Sequence, residues 1–392
     1  MLPRILIMEL PAYNWAKKKM HDMAISIKKV SMFGIQLINR RNMNRLSIIL
    51  ILISGMLMSS CDLVDSISGN EESSTVELYP VLLDGDWGYI NKDGAMIIEP
   101  QFQYAAAFSD GVAGVRHNWS WTYIDQNGDV LFEDTNFQEI TSFSEGKAAV
   151  RVDGRWGYIN KKGNFVINPR FRGATPFSDG RAFVRSLDYS QYLYIDENGN
   201  AIESLTMPDD MDYVEDNLFR DERALVRDND LYGYIDKTGN SVVDPKYSEA
   251  LSFSDKLAAV RVSDRWGYIN KSGSVEIAPQ FISAGKFGNG LAPARLSSNQ
   301  YGYINKSGVF VIEEQFDEVR SFSEERAAVM MNGRWAFINK EGEQITGAKF
   351  DEVDEFYNGL ARVMVYSTEG EDIIEQFGYI NKSGNYVWFP TR

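Results

Sequence analysis

Residue types suited to metal or nucleophilic chemistry are scarce in this chain of 392 residues. It holds one cysteine, Cys61, and two histidines, His21 and His117. A Cys/His zinc site needs three or four such ligands, and a Ser-His-Asp or Cys-His mechanism needs a histidine beside its nucleophile. We therefore expect no zinc site, and a histidine mechanism could use only His117. With a single cysteine, no disulfide can form within the chain.

Oxygen ligands are abundant but poorly arranged for a cation. The segments 125–129 and 196–200 alternate Asp, Asn and other polar residues as in the first half of a calcium loop. Glycine falls at the fourth place of each, and no Glu closes either, so we interpret both as turns. Nor do the carboxylates form a constellation of the kind an active site needs. We predict no metal, no cofactor and no enzymatic activity.

Charge is distributed unevenly along the chain. The whole chain has 40 Lys and Arg against 55 Asp and Glu. Residues 1–60 hold nine of the basic and two of the acidic residues, so the remainder is strongly acidic. Phosphate backbones are bound by clustered Lys and Arg, and we therefore predict that no nucleic acid is a partner.

An export signal precedes the only cysteine. Asn44 and Arg45 are followed by an apolar run from Leu46 to Met58, then two serines and Cys61. This order is typical of a secretory signal peptide. The residues 57–61 resemble a bacterial lipobox, whose cysteine becomes the lipidated first residue. We predict a signal peptide at 43–60, a lipid on Cys61, and an exported protein anchored to a membrane of the bacterial cell envelope, inner or outer.

The flanking segments have separate interpretations. Residues 1–42 are too long for the basic start of a signal peptide, so we interpret them as a mis-called extension upstream of a true start at Met43. A genuine membrane-associated extension is the alternative. Residues 61–76 are rich in Ser, Glu, Asp and Gly and are interpreted as a flexible tether.

From residue 77 to residue 392 the chain repeats one unit nine times. Each copy has the form Trp-Gly-Tyr-Ile-Asn-Lys-x-Gly, with variations, at spacings of 34, 35, 36, 40, 34, 35, 34 and 42 residues. The copies begin at Trp87, Trp121, Trp156, Tyr192, Tyr232, Trp266, Tyr301, Trp335 and Phe377. Self-similarity at a fixed period indicates a repeat architecture, which replaces any domain count based on length.

The unit is predicted to be a three-stranded antiparallel meander. Asn or Asp followed three residues later by Gly predicts a hairpin loop with a left-handed glycine. A second turn, such as Asp153-Gly154, precedes the motif. In the third unit we predict strand c at 148–152, strand a at 156–159 and strand b at 164–167. Both faces of strand a are apolar, and its second-position glycine is expected to permit close approach.

The link from strand b to the next strand c carries recurring phenylalanines at Phe108, Phe143, Phe177, Phe253 and Phe322. We interpret them as plugs between neighbouring sheets, because one small sheet cannot cover its own faces. The fold class is therefore all-β, a tandem array of about nine meanders. No strand is left over to join the first unit to the last, so an open twisted β-solenoid is favoured, with a β-propeller-like ring as the alternative.

This pattern resembles the bacterial WG-repeat family, whose units carry Trp-Gly, an aromatic residue and a glycine-closed hairpin. The resemblance covers residues 77–392. Thr122, Leu193 and Ala336 depart from the second-position glycine. The resemblance implies an exported or surface-associated repeat protein and supplies no catalytic residues.

Two features stand out as candidate contacts. Arginines recur in strand c, with acidic residues about six positions earlier, and we interpret them as a charge ladder between units; a ligand-binding arginine row is the alternative. The second unit replaces the usual small turn residues with His117, Asn118 and Trp119, just before Trp121. If the extended geometry continues, His117, Trp119 and Trp121 share one face. Trp119 then either caps the first unit or contacts a ligand.

The sequence therefore predicts a non-enzymatic envelope lipoprotein, a repeat scaffold that binds a protein or a cell-surface glycan. A purely structural spacer and, less favoured, an envelope hydrolase are the alternatives.

Overall fold

The computed structural model describes residues 77–133, 135–189, 191–202, 218–297, 299–369 and 372–391. The predictions for the extension, the signal peptide, Cys61 and the tether concern residues 1–76 and lie outside the described residues. The described residues form strands and turns only, arranged as nine antiparallel sheets, which we number 1 to 9 along the chain. The predicted all-β tandem array is thus confirmed.

Strands c and a occur in every sheet and pair with each other. The c strands span Leu78–Leu83, Ala113–His117, Lys147–Val152, Ala182–Arg185, Arg223–Asp228, Leu257–Val262, Leu291–Arg295, Ala327–Met331 and Leu360–Glu369. The a strands span Asp86–Asn91, Ser120–Ile124, Arg155–Asn160, Tyr192–Ile195, Leu231–Asp236, Arg265–Asn270, Tyr301–Asn305, Arg334–Ile338 and Asp372–Asn381.

Strand b occurs in six sheets. The b strands span Met96–Phe102, Phe165–Phe171, Ser241–Tyr247, Val275–Phe281, Phe310–Phe316 and Tyr386–Thr391. Each starts after the predicted hairpin; in sheet 3 the Gly163 amide donates to the Asn160 carbonyl at 2.9 Å, and Gly163 has φ +78°. Strand b also runs further than predicted, through a bulge that faces the second-position glycine of strand a.

A fourth strand, d, precedes strand c in seven sheets and was not predicted. The d strands span Tyr104–Ala105, Glu139–Ile140, Gly173–Ala174, Glu249–Ala250, Ser283–Ala284, Glu318–Val319 and Glu352–Val353. A tight turn then leads into strand c; Asp110 and Gly111 both have positive φ there, as a type I′ hairpin turn requires. The meander order is therefore d, c, a, b.

Glycine at the second position of strand a decides whether strand b forms. A β-carbon on Gly157 would lie 2.6 Å from the Ile167 carbonyl oxygen and 2.7 Å from the Pro169 nitrogen. In sheets 2 and 8 this glycine is replaced, and no b strand is found there among the described residues; in sheet 4, where it is also replaced, most of the corresponding segment lies outside the described residues. The replacements are Thr122, Leu193 and Ala336, which put side-chain atoms where the bulge of strand b would pass.

Neighbouring sheets are joined by a buried aromatic pair, as the sequence predicted. Phe143 lies edge-on to Tyr123 of the preceding sheet, with ring centroids 4.8 Å apart, and both side chains are buried. The Tyr123 hydroxyl donates to the Thr141 carbonyl at 2.7 Å. Equivalent Tyr-to-carbonyl bonds link Tyr89 to Ala106, Tyr158 to Thr175, Tyr234 to Leu251, Tyr268 to Gly285 and Tyr303 to Arg320.

Sheets 1 and 9 also pack against each other, at a contact that we call the seam. Tyr79 and Tyr379 are 5.7 Å apart between ring centroids, in a cluster with Val81, Ile90 and Leu360. This corrects the preference for an open solenoid: the sheets form a ring, the alternative considered from the sequence. That preference assumed that closure needs a shared strand, whereas here two sheet faces and side-chain hydroxyls close the circle.

The seam hydroxyls bond to strand c of sheet 1. Thr391 donates its hydroxyl to the Leu82 carbonyl at 2.7 Å, and Tyr379 donates to the Pro80 carbonyl at 2.9 Å. In sheet 2 the carbonyl that corresponds to Pro80, that of Gly114, accepts instead from the Ala106 amide after strand d. At the seam, side-chain hydroxyls of sheet 9 therefore donate to the carbonyls at the edge of strand c that accept from the strand-d segment in sheet 2. Pro80 lies on this edge and has no amide hydrogen that could be left without an acceptor.

Candidate functional site

The acidic residues before strand c hold the turns of neighbouring sheets together. The Asp110 carboxylate accepts the amide of Gly146 at 2.7 Å, and Asp255 accepts that of Gly290 at 2.6 Å. Glu145, Asp179, Asp221 and Glu324 make the same kind of bond to the next sheet. The predicted charge ladder is therefore corrected: these acids do link units, but through backbone amides and, for Asp179 and Glu324, also through Lys237 and Lys382, and not through the recurring arginines.

The two calcium-like segments are hairpin turns, in agreement with their sequence interpretation. The Asp125 carboxylate accepts the amides of Asn127 and Asp129 at 2.8 and 3.0 Å. Asp196 accepts those of Asn198 and Asn200 at 2.9 and 2.8 Å. Their carboxylates thus cap the turn itself. Across the described ranges, no cluster of three or more His, Cys, Asp or Glu side chains is placed to hold a metal ion.

The recurring arginines of strand c lie beside the first aromatic residue of strand a. Arg116 is paired in register with Trp121, Arg151 with Trp156 and Arg261 with Trp266. Each guanidinium group therefore lies close to the c–a turn of its sheet, next to the ring of that first aromatic residue. The Nε atoms of six of them are buried without a hydrogen-bond partner: Arg116, Arg151, Arg185, Arg227, Arg261 and Arg295.

Strand d supplies an acidic partner to two of these arginines. Glu139 lies opposite Arg151 in register and forms an ion pair with it, and Glu249 does the same with Arg261. In sheet 2 the corresponding residue is Tyr104, opposite Arg116. Aromatic contacts take the place of the ion pair there.

The structure brings Trp119 and Trp121 together but places His117 elsewhere. Trp119 sits in the c–a turn with φ +65°, and its side chain is 73% exposed. The Arg116 guanidinium carbon lies 5.2 Å from the Trp119 ring and 5.9 Å from the Trp121 ring. His117 alternates to the other side of strand c, 5.6 Å from the Phe102 ring. The expected common face fails because the turn interrupts the extended geometry.

These side chains line a cleft of about 510 Å³ between sheets 1 and 2, which we call the aromatic cleft. Its walls are Tyr104, Arg116, Trp119 and Trp121, with Asp86 and Gln103 as further polar groups. Tyr104 lies edge-on to Trp121 at 5.4 Å and tilted against Trp87 at 6.4 Å. The Trp119 amide donates to the Gln103 side chain at 3.2 Å, which fixes the turn over the cleft.

The interpretation of Trp119 as a cap on the first unit is corrected by this geometry. A cap would be buried against sheet 1, whereas the Trp119 indole is mostly exposed. The outer face of sheet 1 is covered by sheet 9 instead.

Tyr104 and Gln103 were missed by sequence reasoning, which treated the b-to-c link as a connection without sites. The signal was present, because four other d strands begin with Glu and this one begins with Tyr. Tyr104 is 46% exposed, which is unusual for a ring that also contacts two tryptophans.

A second cavity, of about 490 Å³, lies at the seam. Its walls include Tyr79, Tyr104, Tyr357, Glu355 and Arg362. Burial raises the pKa of the Glu355 carboxyl, which Arg320 and Lys286 oppose. Tyr104 lines both this cavity and the aromatic cleft, so the two are adjacent.

Seven segments match the family model of the WG containing repeat: residues 87–118, 121–156, 156–188, 232–266, 266–298, 301–335 and 335–367. They cover more than half of the chain, and the protein therefore belongs to the WG-repeat family. No curated protein matches it. The part of the chain that the structure describes contains no helix long and apolar enough to span a membrane.

Solved structures with some likeness are β-rich proteins of low identity. BamB from Moraxella catarrhalis is 12% identical, over 73% of this chain and 96% of that one, with a TM-score of 0.40. Kluyveromyces lactis Hsv2 is 8% identical, over 60% and 95%, with a TM-score of 0.36. The dihydro-heme d1 dehydrogenase NirN is 13% identical, over 69% and 73%, with a TM-score of 0.39. The ring described above is derived from the contacts of this chain alone.

Proposed function

We propose that this WG-repeat protein is a non-enzymatic lipoprotein of the bacterial cell envelope that binds a cell-surface glycan in the aromatic cleft. The observation that carries the proposal is the row formed by Tyr104, Trp121 and the exposed Trp119. A sugar ring presents C–H groups to an aromatic face and hydroxyl groups at its edge. The cleft offers both kinds of partner, with Arg116 and Gln103 beside the rings.

The size of the cleft favours a glycan over a protein partner. Its volume of about 510 Å³ falls within the range of small-ligand sites. A stable protein interface usually buries about 800 Å² on each partner around a central anchor. The surroundings of Trp119 supply one exposed anchor above a narrow cleft, which suits a few sugar units.

The proposed location in the cell envelope rests on the sequence pattern before Cys61. A signal peptide at residues 43–60 would export the chain, and acyl groups on Cys61 would hold it at a membrane. Each buried methylene contributes about 0.8 kcal/mol, so two or three chains on one cysteine give stable anchoring. Residues 62–76 would then let the ring reach glycans away from the bilayer.

The test is binding of envelope glycans to the full-length lipoprotein in detergent. Solubilised envelope polysaccharides and peptidoglycan fragments are titrated while tryptophan fluorescence is followed. The variant is Trp119→Ala. Its matched control is Phe389→Ala, because Phe389 is 71% exposed and lies outside the cleft.

We expect a fluorescence change with at least one glycan, at least tenfold weaker binding by Trp119→Ala, and unchanged binding by the control. Capture of an envelope protein through Trp119, without any glycan signal, would replace the glycan by a protein. Absence of any binding that depends on Trp119 would favour a structural spacer. Glycan cleavage by the wild type would contradict the non-enzymatic part of the proposal.

A further inference from the structure

A third cavity, a cleft between sheets 3 and 4, differs from its counterparts in the other sheets. It has a volume of about 500 Å³ and is lined by Trp156, Arg172, Arg185, Tyr189 and Tyr192, together with the Glu139–Arg151 pair. We call it the arginine cleft. It lies apart from the aromatic cleft and shares no lining residue with it.

The positive charge in this cleft is not balanced. Arg151 is neutralised by Glu139, but neither Arg172 nor Arg185 forms an ion pair with any described residue. Both guanidinium carbons lie over one ring, that of Tyr189, at 4.8 and 4.6 Å. Two cations held beside one ring repel each other, and an anion between or beside them would offset that repulsion.

The imbalance has a specific origin in the repeat. Strand d begins with Glu in sheets 3 and 6, and that Glu pairs with the arginine opposite it. In sheet 4 this position is Gly173, which lies opposite Arg185 in register. The missing carboxylate leaves room and charge for an external one.

The c–a loop of sheet 4 completes the cleft. It is longer than the two-residue turns of sheets 1, 2, 3, 5, 6 and 8 and carries Tyr189 with φ +62°, a conformation that is uncommon for a non-glycine residue. Ser186 holds the loop, since its hydroxyl donates to Asp188 at 2.7 Å and accepts the Gln191 amide at 3.0 Å. Such local strain recurs at binding sites, where the surrounding structure maintains it.

We propose that the arginine cleft binds an acidic sugar, that is, a sugar ring that carries a carboxylate or sulfate group. Arg172 and Arg185 would bind the anionic group, as guanidinium groups do with carboxylates and other oxyanions that present two oxygen atoms. Trp156 flanks the cleft and would pack against the ring that carries the charge, whereas the Tyr192 ring is stacked on Phe183 and lies beneath Arg185. The cleft is too large for a lone ion, which is why the ligand is a charged sugar and not a free anion. This inference stands independently of the aromatic cleft.

The sharpest variant is Gly173→Glu, which restores the carboxylate that other sheets carry. A β-carbon at Gly173 would meet only the Arg185 β-carbon, at an ordinary 3.6 Å, so the substitution fits the fold. The new carboxylate would pair with Arg185 and compete with the ligand. The direct variants are Arg172→Gln and Arg185→Gln. The matched control is Arg261→Gln, at the same repeat position as Arg185 but already paired with Glu249.

The probes are an oligogalacturonate, the same oligomer after reduction of its carboxyl groups, a dextran sulfate oligomer and inorganic sulfate. They are titrated into the full-length lipoprotein by calorimetry at low and moderate salt. We expect the oligogalacturonate or the sulfated oligomer to bind, and whichever binds identifies the source of the anionic group. Binding should weaken roughly tenfold or more in Gly173→Glu, Arg172→Gln and Arg185→Gln, and stay unchanged in Arg261→Gln.

Equal binding of the reduced oligomer, or binding of inorganic sulfate as tight as that of the oligomers, would overturn the acidic-sugar inference. So would unchanged affinity in Gly173→Glu when its thermal melt shows a folded protein. Equal losses in Arg185→Gln and Arg261→Gln would show a general charge effect and would overturn it as well.

Discussion

The Tyr379 hydroxyl donates a hydrogen bond of 2.9 Å to the carbonyl oxygen of Pro80, although 299 positions separate the two residues. The interior counterpart of this bond joins six buried motif tyrosines to a carbonyl that is 17 or 18 positions later, as Tyr123 does with Thr141. Tyr379 thus makes across the seam the same type of contact that the other tyrosines make between consecutive sheets. It is one of several contacts that close the ring, together with the Thr391 bond and the apolar cluster of the seam.

The first prediction tests closure. Tyr379→Phe removes the hydroxyl that donates to the Pro80 carbonyl. The part-buried carbonyl then lacks this hydrogen bond, and the free energy of unfolding should fall by about 1–3 kcal/mol. Tyr123→Phe is the matched control, because it removes an equivalent bond between sheets 2 and 3. Amide hydrogen exchange should rise in residues 78–83 and 386–391 for the first variant only. Equal exchange in both variants would mean that the seam does not depend on this bond.

The second prediction compares two left-handed glycines. Gly163 and Gly154 have φ of +78° and +75°, so alanine costs each about 1 kcal/mol in backbone strain. A β-carbon at Gly163 would also lie 2.8 Å from the Phe132 ring, whereas nothing lies within 4 Å of one at Gly154. Gly163→Ala should therefore lower the melting temperature more than Gly154→Ala. Arg155→Ala, next to Gly154, should cost under about 0.5 kcal/mol.

The third prediction separates tryptophans that contribute to stability from the exposed one. Trp335 is 7% exposed and Trp119 is 73% exposed. Trp335→Ala should lose roughly 3–5 kcal/mol of unfolding free energy, as large buried aromatics do. Trp119→Ala should leave the thermal melt almost unchanged. A fall of several degrees for Trp119→Ala would restore the cap interpretation.

The fourth prediction concerns alkaline pH. Burial, with Glu77 and Glu324 nearby, raises the pKa of Tyr79 from 10.0 to about 12. A raised folded pKa means that the stability is complete below pH 10.0 and is lost as pH rises towards 12. Phenolate absorbance should rise first for exposed tyrosines and only later, together with unfolding, for the buried ones. Tyr79→Phe should shift the alkaline unfolding midpoint upward.

The fifth prediction concerns the anchor. Intact-mass analysis of protein extracted from membranes should show a chain that begins at Cys61 with two or three acyl chains. Cys61→Ser should be exported unprocessed or released from the membrane fraction. An unmodified cysteine, or a chain that starts at Met1, would contradict the lipoprotein assignment.

Most of the fold was predictable because the same residue types recur at equivalent positions in nine units. The hairpins, the close approach at Gly157 and the phenylalanine plugs all follow from residue types at fixed positions. Two features did not follow. The absence of strand b in the described parts of sheets 2 and 8 was visible as Thr122 and Ala336, but only the bulge at Ile167 and Pro169 explains why those residues matter.

The candidate sites were less predictable, for a physical reason. Trp119 stood out because it breaks the pattern at a turn. Tyr104 and Gly173 lie in strand d, whose two-residue pairing shows no hydrophobic periodicity, so only a comparison of the aligned units could have singled them out. The unbalanced charge of Arg185 appears only when the register shows which residue lies opposite it.

The seam has a mechanical consequence. A load applied through the residues before Glu77 is delivered first to strand c of sheet 1, whose carbonyls bond to sheet 9 through the hydroxyls of Tyr379 and Thr391. Those bonds join two sheets that share no strand, whereas the strands within each sheet are held together by backbone pairing. Under tension the circle should open at this one joint into an arc of nine intact sheets. When the load is removed, the bonds between sheets 1 and 9 should form again and the ring should close.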